Sequence, residues 1–317
     1  MRSALSRLTG FAVVAAIVGM APAAHSEPTQ DRSQHDTSRH DTSRIVSIGG
    51  AVTEILYALG LEQRIVAVDA TSFYPPQAQR EKPSVGYFRQ LSPEGVLGLN
   101  PSLILAIEGA GPKQAVSVLQ SAGVDFVSVP DIFTGEGIIE KIRVIAAATG
   151  VEKRGECLAS AVAADLDVLA RLRAGISRPT RALFVLSFVG DRAQVAGRVT
   201  AAEGIMRLAG ATNAITEFEG YKAVSDEAII AAQPEAVLAM QRVANPLDAR
   251  TVFAHQAFAL TPAAKRNAFV ALNALYLLGF GPRTALAARD IAAALNPSLA
   301  KAEFPSEIAT TAERCRG

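Results

Sequence analysis

Tyr74 is placed where its phenol could act as a ligand. It lies in Thr71-Ser72-Phe73-Tyr74-Pro75-Pro76, directly after the apolar stretch IVAVDA. The two prolines stiffen the backbone behind the ring and limit how far the phenol can retreat. A phenolate oxygen is a hard, anionic donor suited to Fe(III); a loop tyrosine packing its ring on prolines is the plainer alternative. A second chemical signal is a matched pair of carboxylates. The segment Leu91 to Ala106, LSPEGVLGLNPSLILA, aligns without gaps on Val224 to Ala239, VSDEAIIAAQPEAVLA. In each copy Ser92 or Ser225 is suited to cap a short helix and Glu94 or Glu227 falls in its first turn, where the helix dipole favours an anion. A proline then returns the chain to a strand.

Catalytic signals are missing. The sequence contains no G-x-S-x-G, P-loop, G-x-G-x-x-G or H-E-x-x-H, and His255 is the only histidine beyond residue 40. With no nucleophile paired to a base, the residues point away from an enzyme. The 31 basic and 30 acidic side chains give a net charge of +1, so bulk charge makes no case for nucleic acid or an anionic membrane. Cys157 and Cys315 are the only cysteines. An oxidising compartment would allow them to pair, and two unrelated thiols are an equal expectation.

These residues need a scaffold, and the apolar pattern supplies one. From Arg44, short apolar runs (RIVSIGG, IVAVDA, LILAI, FVSVP) alternate with amphipathic segments such as AVTEILYALGL and a helix around Lys113–Ala122. A second round follows Pro179, with RALFVLSF, a helix from about Thr200 to Ala209, and AVLAM. Such alternation predicts an α/β fold of two Rossmann-like lobes with mainly parallel sheets. Between the rounds, Glu152 to Gly175 is free of proline and rich in helix formers; it predicts one long α-helix joining the lobes. Ligands of such sheets bind beyond the C-terminal ends of the strands, where Tyr74 falls. Residues 1–26 read as a cleavable signal peptide for export to the periplasm, with Arg2 and Arg7 before an apolar run and Ala24-His25-Ser26 at the cut. Residues 27–43, which repeat H-D-T-S-R, read as a flexible leader. The expected division is then 44–150 for the N-terminal α/β lobe, 151–178 for the linker helix and 179–317 for the C-terminal α/β lobe, with no transmembrane segment in the mature chain.

Five strings, RIVSIGGAVTEILYALGL, ATSFYPPQA, VGYFRQLSPEGVLGLNPSLIL, GYKAVSDEAIIAAQPEAVL and ALYLLGFGPRT, resemble the substrate-binding proteins of ABC importers that serve siderophores, cobalamin and haem. Within that class the chain is similar to periplasmic haem (hemin)-binding proteins, over residues 44 to about 296. The resemblance implies that haem b is the transported ligand, that Tyr74 is the axial ligand of its iron, and that Glu94 and Glu227 dock on the two permease subunits of the importer. Some haem-binding relatives have a histidine in the stretch matching Leu186-Ser187-Phe188-Val189-Gly190. Here Phe188 stands instead and is expected to pack on the porphyrin face, with Met240 as a weak substitute ligand. Arg89, Arg192, Arg198 and Lys222 are available for the haem propionates; Arg89 and Lys222 are favoured because they precede the matched helices, with Tyr87 and Tyr221 beside them. A monomeric carrier that performs no chemistry is the expectation. The alternatives are a cobalamin or ferric-siderophore carrier and, from another class, an exported enzyme or adhesion module.

Overall fold

A computed structural model describes residues 41–241, 247–306, 308 and 314–316. The expected signal peptide, and the leader up to residue 40, lie outside the described residues. The first lobe runs β1 (Ile45–Ile48), α1 (Gly50–Ala58), β2 (Ile65–Val68), α2 (Pro76–Glu81), α3 (Pro93–Leu97), β3 (Leu103–Ile107), α4 (Lys113–Gln120), β4 (Asp125–Val129) and α5 (Gly135–Ala148). Its sheet has the order β2-β1-β3-β4 and every pairing is parallel. Strands β1 and β3 are buried along their whole length, as continuous apolar runs covered on both faces should be.

The predicted connector is α6 (Glu152–Ala174), 23 residues long, which spans roughly 35 Å. The second lobe follows with β5 (Arg181–Val189), β6 (Arg192–Ala196), α7 (Ala201–Leu208), β7 (Thr212–Asn213), β8 (Tyr221–Ala223), α8 (Asp226–Ala232), β9 (Ala236–Gln241), α9 (Ala249–Ala254), α10 (Gln256–Ala259), α11 (Pro262–Lys265), β10 (Phe269–Asn273), α12 (Ala274–Leu278) and α13 (Thr284–Leu295). Its sheet is mixed: β10, β9, β5 and β7 pair in parallel, whereas β6 and β8 are antiparallel additions in the order β10-β9-β5-β6-β8. The reversal between β5 and β6 takes two residues, Gly190 and Asp191, and Gly190 sits at φ 59°, a conformation that glycine adopts without a Cβ penalty.

One face of each sheet contributes to a common core. Ile55 and Leu56 of α1, Ile142 of α5, Val162 of α6, Ile205 of α7 and Ile291 of α13 belong to a single buried apolar cluster. The opposite faces have separate cores, around Ile104 and Leu119 in the first lobe and Leu183, Ile229 and Phe258 in the second. The lobes are thus fused along the side carrying α6 rather than strung on it.

Cys157 on α6 and Cys315 form a disulfide, with Cα atoms 5.6 Å apart across 158 residues of sequence. On either side of Cys315 in sequence, Ser306 donates to Asp165 of α6 (2.8 Å) and Arg316 donates to the Tyr57 carbonyl of the first lobe (3.0 Å). These bonds return the end of the second lobe across the linker onto the first. Closing so long a loop restricts the unfolded chain strongly, so replacing both cysteines by serine should cost about 3–5 kcal/mol of stability. Denaturant melts of the double variant, compared with the oxidised and reduced parent, check this; equal midpoints would mean the bond constrains nothing.

Candidate ligand cleft

The loop that carries Tyr74 starts from a buried polar knot. Asp69, at the end of β2, is wholly buried. Its carboxylate accepts from the Gly49 N–H (3.0 Å), the Thr71 N–H (3.0 Å), the Thr71 hydroxyl (2.7 Å) and the Ser72 hydroxyl (2.9 Å). The Thr71 hydroxyl in turn receives the Gly50 N–H at 3.0 Å, and the Ser72, Thr53 and Ser47 hydroxyls form a chain at 2.7 Å per step. A carboxylate with four donors satisfies the rule that a buried charge must be solvated by the protein. The knot ties the loop after β2 to the N-terminus of α1. Phe73 and Tyr74 then emerge to the surface, with Tyr74 40% exposed.

The second lobe reaches this loop through the segment between α12 and α13. The Arg283 guanidinium forks onto Glu54 of α1, Nε to Oε1 at 3.0 Å and Nη2 to Oε2 at 2.9 Å, while the Arg283 N–H approaches Oε1 at 3.3 Å. Glu54 is only 5% exposed. The same guanidinium lies 3.4 Å from the centroid of the Tyr74 ring and 5.3 Å from that of Tyr276. Tyr276 donates to Asp290 at 2.9 Å, and burial together with that carboxylate pushes its hydroxyl well above the usual range for tyrosine. Next along the joint, the wholly buried Lys141 of α5 donates to Asp131 (2.8 Å) and to the Phe280 carbonyl (3.3 Å), and the Phe280 ring packs edge-on to Phe133 at 5.3 Å. Two charged groups buried in the first lobe are therefore answered by one loop of the second.

Other residues marked by the sequence surround this joint or lie away from it. Arg89 is exposed and stacks on Phe88 at 5.0 Å, and Tyr87 packs edge-on to the same ring at 4.9 Å. In the other lobe, burial raises the Tyr221 hydroxyl. Bonds from the start of α7, at Ala202 and Thr200, and the charge of Arg89 oppose that rise. The Arg89 charge is thus felt at Tyr221 across the lobes. Lys222 is exposed over the Phe218 ring at 5.2 Å. Arg192 is engaged by the Ala223 and Val224 carbonyls, and Arg198 by the Thr216 carbonyl and Glu219. Arg89 and Lys222 have no ion-pair partner among the described residues, which leaves them the better candidates for an anion. Phe188 is elsewhere: an irregularity between Val185 and Ser187 turns its ring into the outer core, 5.3 Å from His255 and 6.2 Å from Phe258. Met240, on β9, packs against the common core.

The two matched helices have the expected starts. Ser92 accepts from the Gly95 N–H at 3.2 Å and Ser225 from the Ala228 N–H at 3.3 Å, and both Glu94 and Glu227 are exposed in the first turn. Hydrogen bonds from its own N–H and from Ser225 hold the Glu227 carboxyl below the usual range.

Two α/β lobes sharing a core, bridged by one long helix and each bearing a capped acidic helix, have counterparts among known proteins. The model of the family described as "Periplasmic binding protein" matches residues 45–276. The chain belongs to the periplasmic binding protein family. Its members and structural neighbours are substrate-binding transport proteins, not enzymes. Among solved structures, the periplasmic heme-binding protein BhuT in complex with two hemes shares 37% identity with this periplasmic binding protein and superposes with a TM-score of 0.75 over 81% of this chain and 98% of that one. RhuT from Roseiflexus sp. RS-1, a periplasmic heme-binding protein in apo form, shares 36% identity at a TM-score of 0.76, over 81% and 99%. Among curated relatives, an uncharacterized ABC transporter substrate-binding lipoprotein, YvrC of Bacillus subtilis, is 28% identical over 62% of this chain and 62% of its own length, so the match spans less than two thirds of that relative. A vitamin B12-binding protein of Pectobacterium carotovorum is 26% identical over 62% of this chain and 70% of its own.

Sequence reasoning missed Glu54, Lys141 and Arg283. For Glu54 there was a signal: helix α1 has no polar face, so a lone carboxylate within it required a partner. The identity of that partner, 229 residues away, was not available from local pattern. The Asp69 knot predicts a measurable loss. In Asp69→Asn one acceptor becomes a donor aimed at other donors, which should cost about 2–3 kcal/mol in a denaturant melt; a change under about 0.5 kcal/mol would show that the knot does not hold the loop.

Proposed function

We propose that this protein captures haem b in the cleft between its lobes and delivers it to the permease of an ABC importer. The observation that carries the reading is Tyr74: a phenol 40% exposed on the ligand side of the sheet, on a loop anchored by a buried carboxylate. Its oxygen would serve as the single protein ligand to ferric iron. Arg89 and Lys222 would meet the propionates from opposite lobes, with Tyr221 beside the macrocycle and the Phe188 ring available at the rim only if it leaves its outer packing. The names of BhuT and RhuT support haem as the cargo. The Pectobacterium relative supports cobalamin as the second reading, and a ferric siderophore would use the same scaffold.

In this reading residues 1–26 direct export and are removed, residues 27–43 form a leader, and lobes 44–150 and 179–317 flank a linker of 151–178 in a monomer that works in the periplasm. Glu94 and Glu227 would seat the two lobes on a two-fold symmetric permease with equivalent ion pairs.

Titrating hemin into the purified protein should give a saturable Soret shift, and Tyr74→Phe should weaken binding about tenfold or more and change the spectrum. No saturable shift, with saturable cyanocobalamin binding instead, would overturn haem in favour of cobalamin. Exchanging both Glu94 and Glu227 for lysine should abolish haem-dependent growth through the cognate importer while leaving hemin affinity within about twofold of the parent. Loss of hemin binding in that double variant would contradict docking.

A further inference from the structure

We infer that Arg283 is a positioning residue for the Tyr74 phenol, held for that task by Glu54, so that the second lobe orients the iron ligand carried by the first. This rests on the reading of Tyr74 as that ligand.

The geometry has three parts. First, the guanidinium is fixed independently of Tyr74, because both Glu54 oxygens and three donors of Arg283 are engaged at 2.9–3.3 Å. A planar fork of this kind sets the plane as well as the place of the cation. Second, the central carbon of the guanidinium lies over the Tyr74 ring, 3.4 Å from its centroid, within the distance at which a cation on a ring face is attracted to it. The Asp69 knot fixes the backbone ahead of Tyr74, and the stacked guanidinium restricts the remaining rotation of the ring. Third, stacking occupies a face and leaves the hydroxyl at the ring edge, where no hydrogen bond to protein engages it among the described residues. The oxygen therefore projects in a defined direction. A cation on the ring face also draws on the electron density that a bound phenolate donates to Fe(III), so the phenolate-to-iron charge-transfer band should report its removal.

Stability does not account for the pair. A buried ion pair contributes little net stability compared with apolar residues of the same volume, because desolvation offsets the attraction. An apolar contact between α1 and the start of α13 would close the joint equally well, but it would not place a flat cation on Tyr74.

The test is a double-mutant cycle on the full chain. Haem loss to excess apomyoglobin, the charge-transfer band and thermal melts are measured for the parent, Arg283→Met, Tyr74→Phe and the double variant. Arg283→Met strands Glu54, so Glu54→Gln/Arg283→Met supplies a version with no buried unpaired charge. In either, haem loss should be about tenfold faster and the band shifted, and in the Tyr74→Phe background the same change should add less than about twofold. Arg283→Lys should fall between the parent and Arg283→Met, because an ammonium keeps the charge but cannot fork onto Glu54 or lie flat on the ring. Equal acceleration in both backgrounds, an unshifted band, or full rescue by lysine would overturn the inference. In the haem-free protein, the ring NMR signals absent from Tyr74→Phe should shift in Glu54→Gln/Arg283→Met, and unmoved signals would overturn it as well. If Tyr74→Phe alone leaves the hemin spectrum unchanged, the assignment of the iron ligand fails, a result separate from the cycle.

Discussion

A carboxylate buried in an apolar helix cannot stand alone, and the organisation of this molecule follows from how Glu54 is answered. The cost of an unpaired buried charge is several kcal/mol, more than the thermal energy available to pull the lobes apart. Its partner comes from the far end of the chain, so the fork between Glu54 and Arg283 is at once an ion pair and a joint between lobes. Lys141 repeats the logic next to it: a wholly buried ammonium that needs a carbonyl of the second lobe as well as Asp131 of its own. Separating the lobes at this joint would leave both charges short of partners.

The rest of the architecture agrees with a joint that moves little. Helix α6 lies in the common core with α5, α7 and α13, and each wholly buried aliphatic side chain there stabilises the arrangement by roughly 1.5–3 kcal/mol. The disulfide and the contacts of Ser306 and Arg316 add a second crossing from the second lobe back to the first. A wide hinge motion would have to break these together, whereas a small rocking of the lobes would not.

Local chemistry made much of this readable in advance. The capping serines, the exposed glutamates in the first turn after them, and the long connector follow from side chains acting within a few residues of themselves, which is why Ser92, Ser225 and α6 match their expectations. The second sheet was less readable. RALFVLSF reads as one more parallel strand, but the Gly190-Asp191 reversal adds two antiparallel strands beside it. The irregularity at Leu186 then breaks the alternation that would have put Phe184, Leu186 and Phe188 on one face. A strand pattern carries no mark of where its register slips. Pairings at long range were the least legible: Cys157 with Cys315, and Glu54 with Arg283, depend on the completed fold.

Gly50 shows how little room the joint leaves. A methyl group on its Cα would run into the Thr71 carbonyl on one side and come within 2.6 Å of the Leu275 side chain on the other. It is the point at which the first helix, the tyrosine loop and the second lobe all touch. A side chain there would act as a wedge, pushing the tyrosine loop and the second lobe away from the first helix. The spacing of the three elements at this joint is thus set within the width of a single carbon atom.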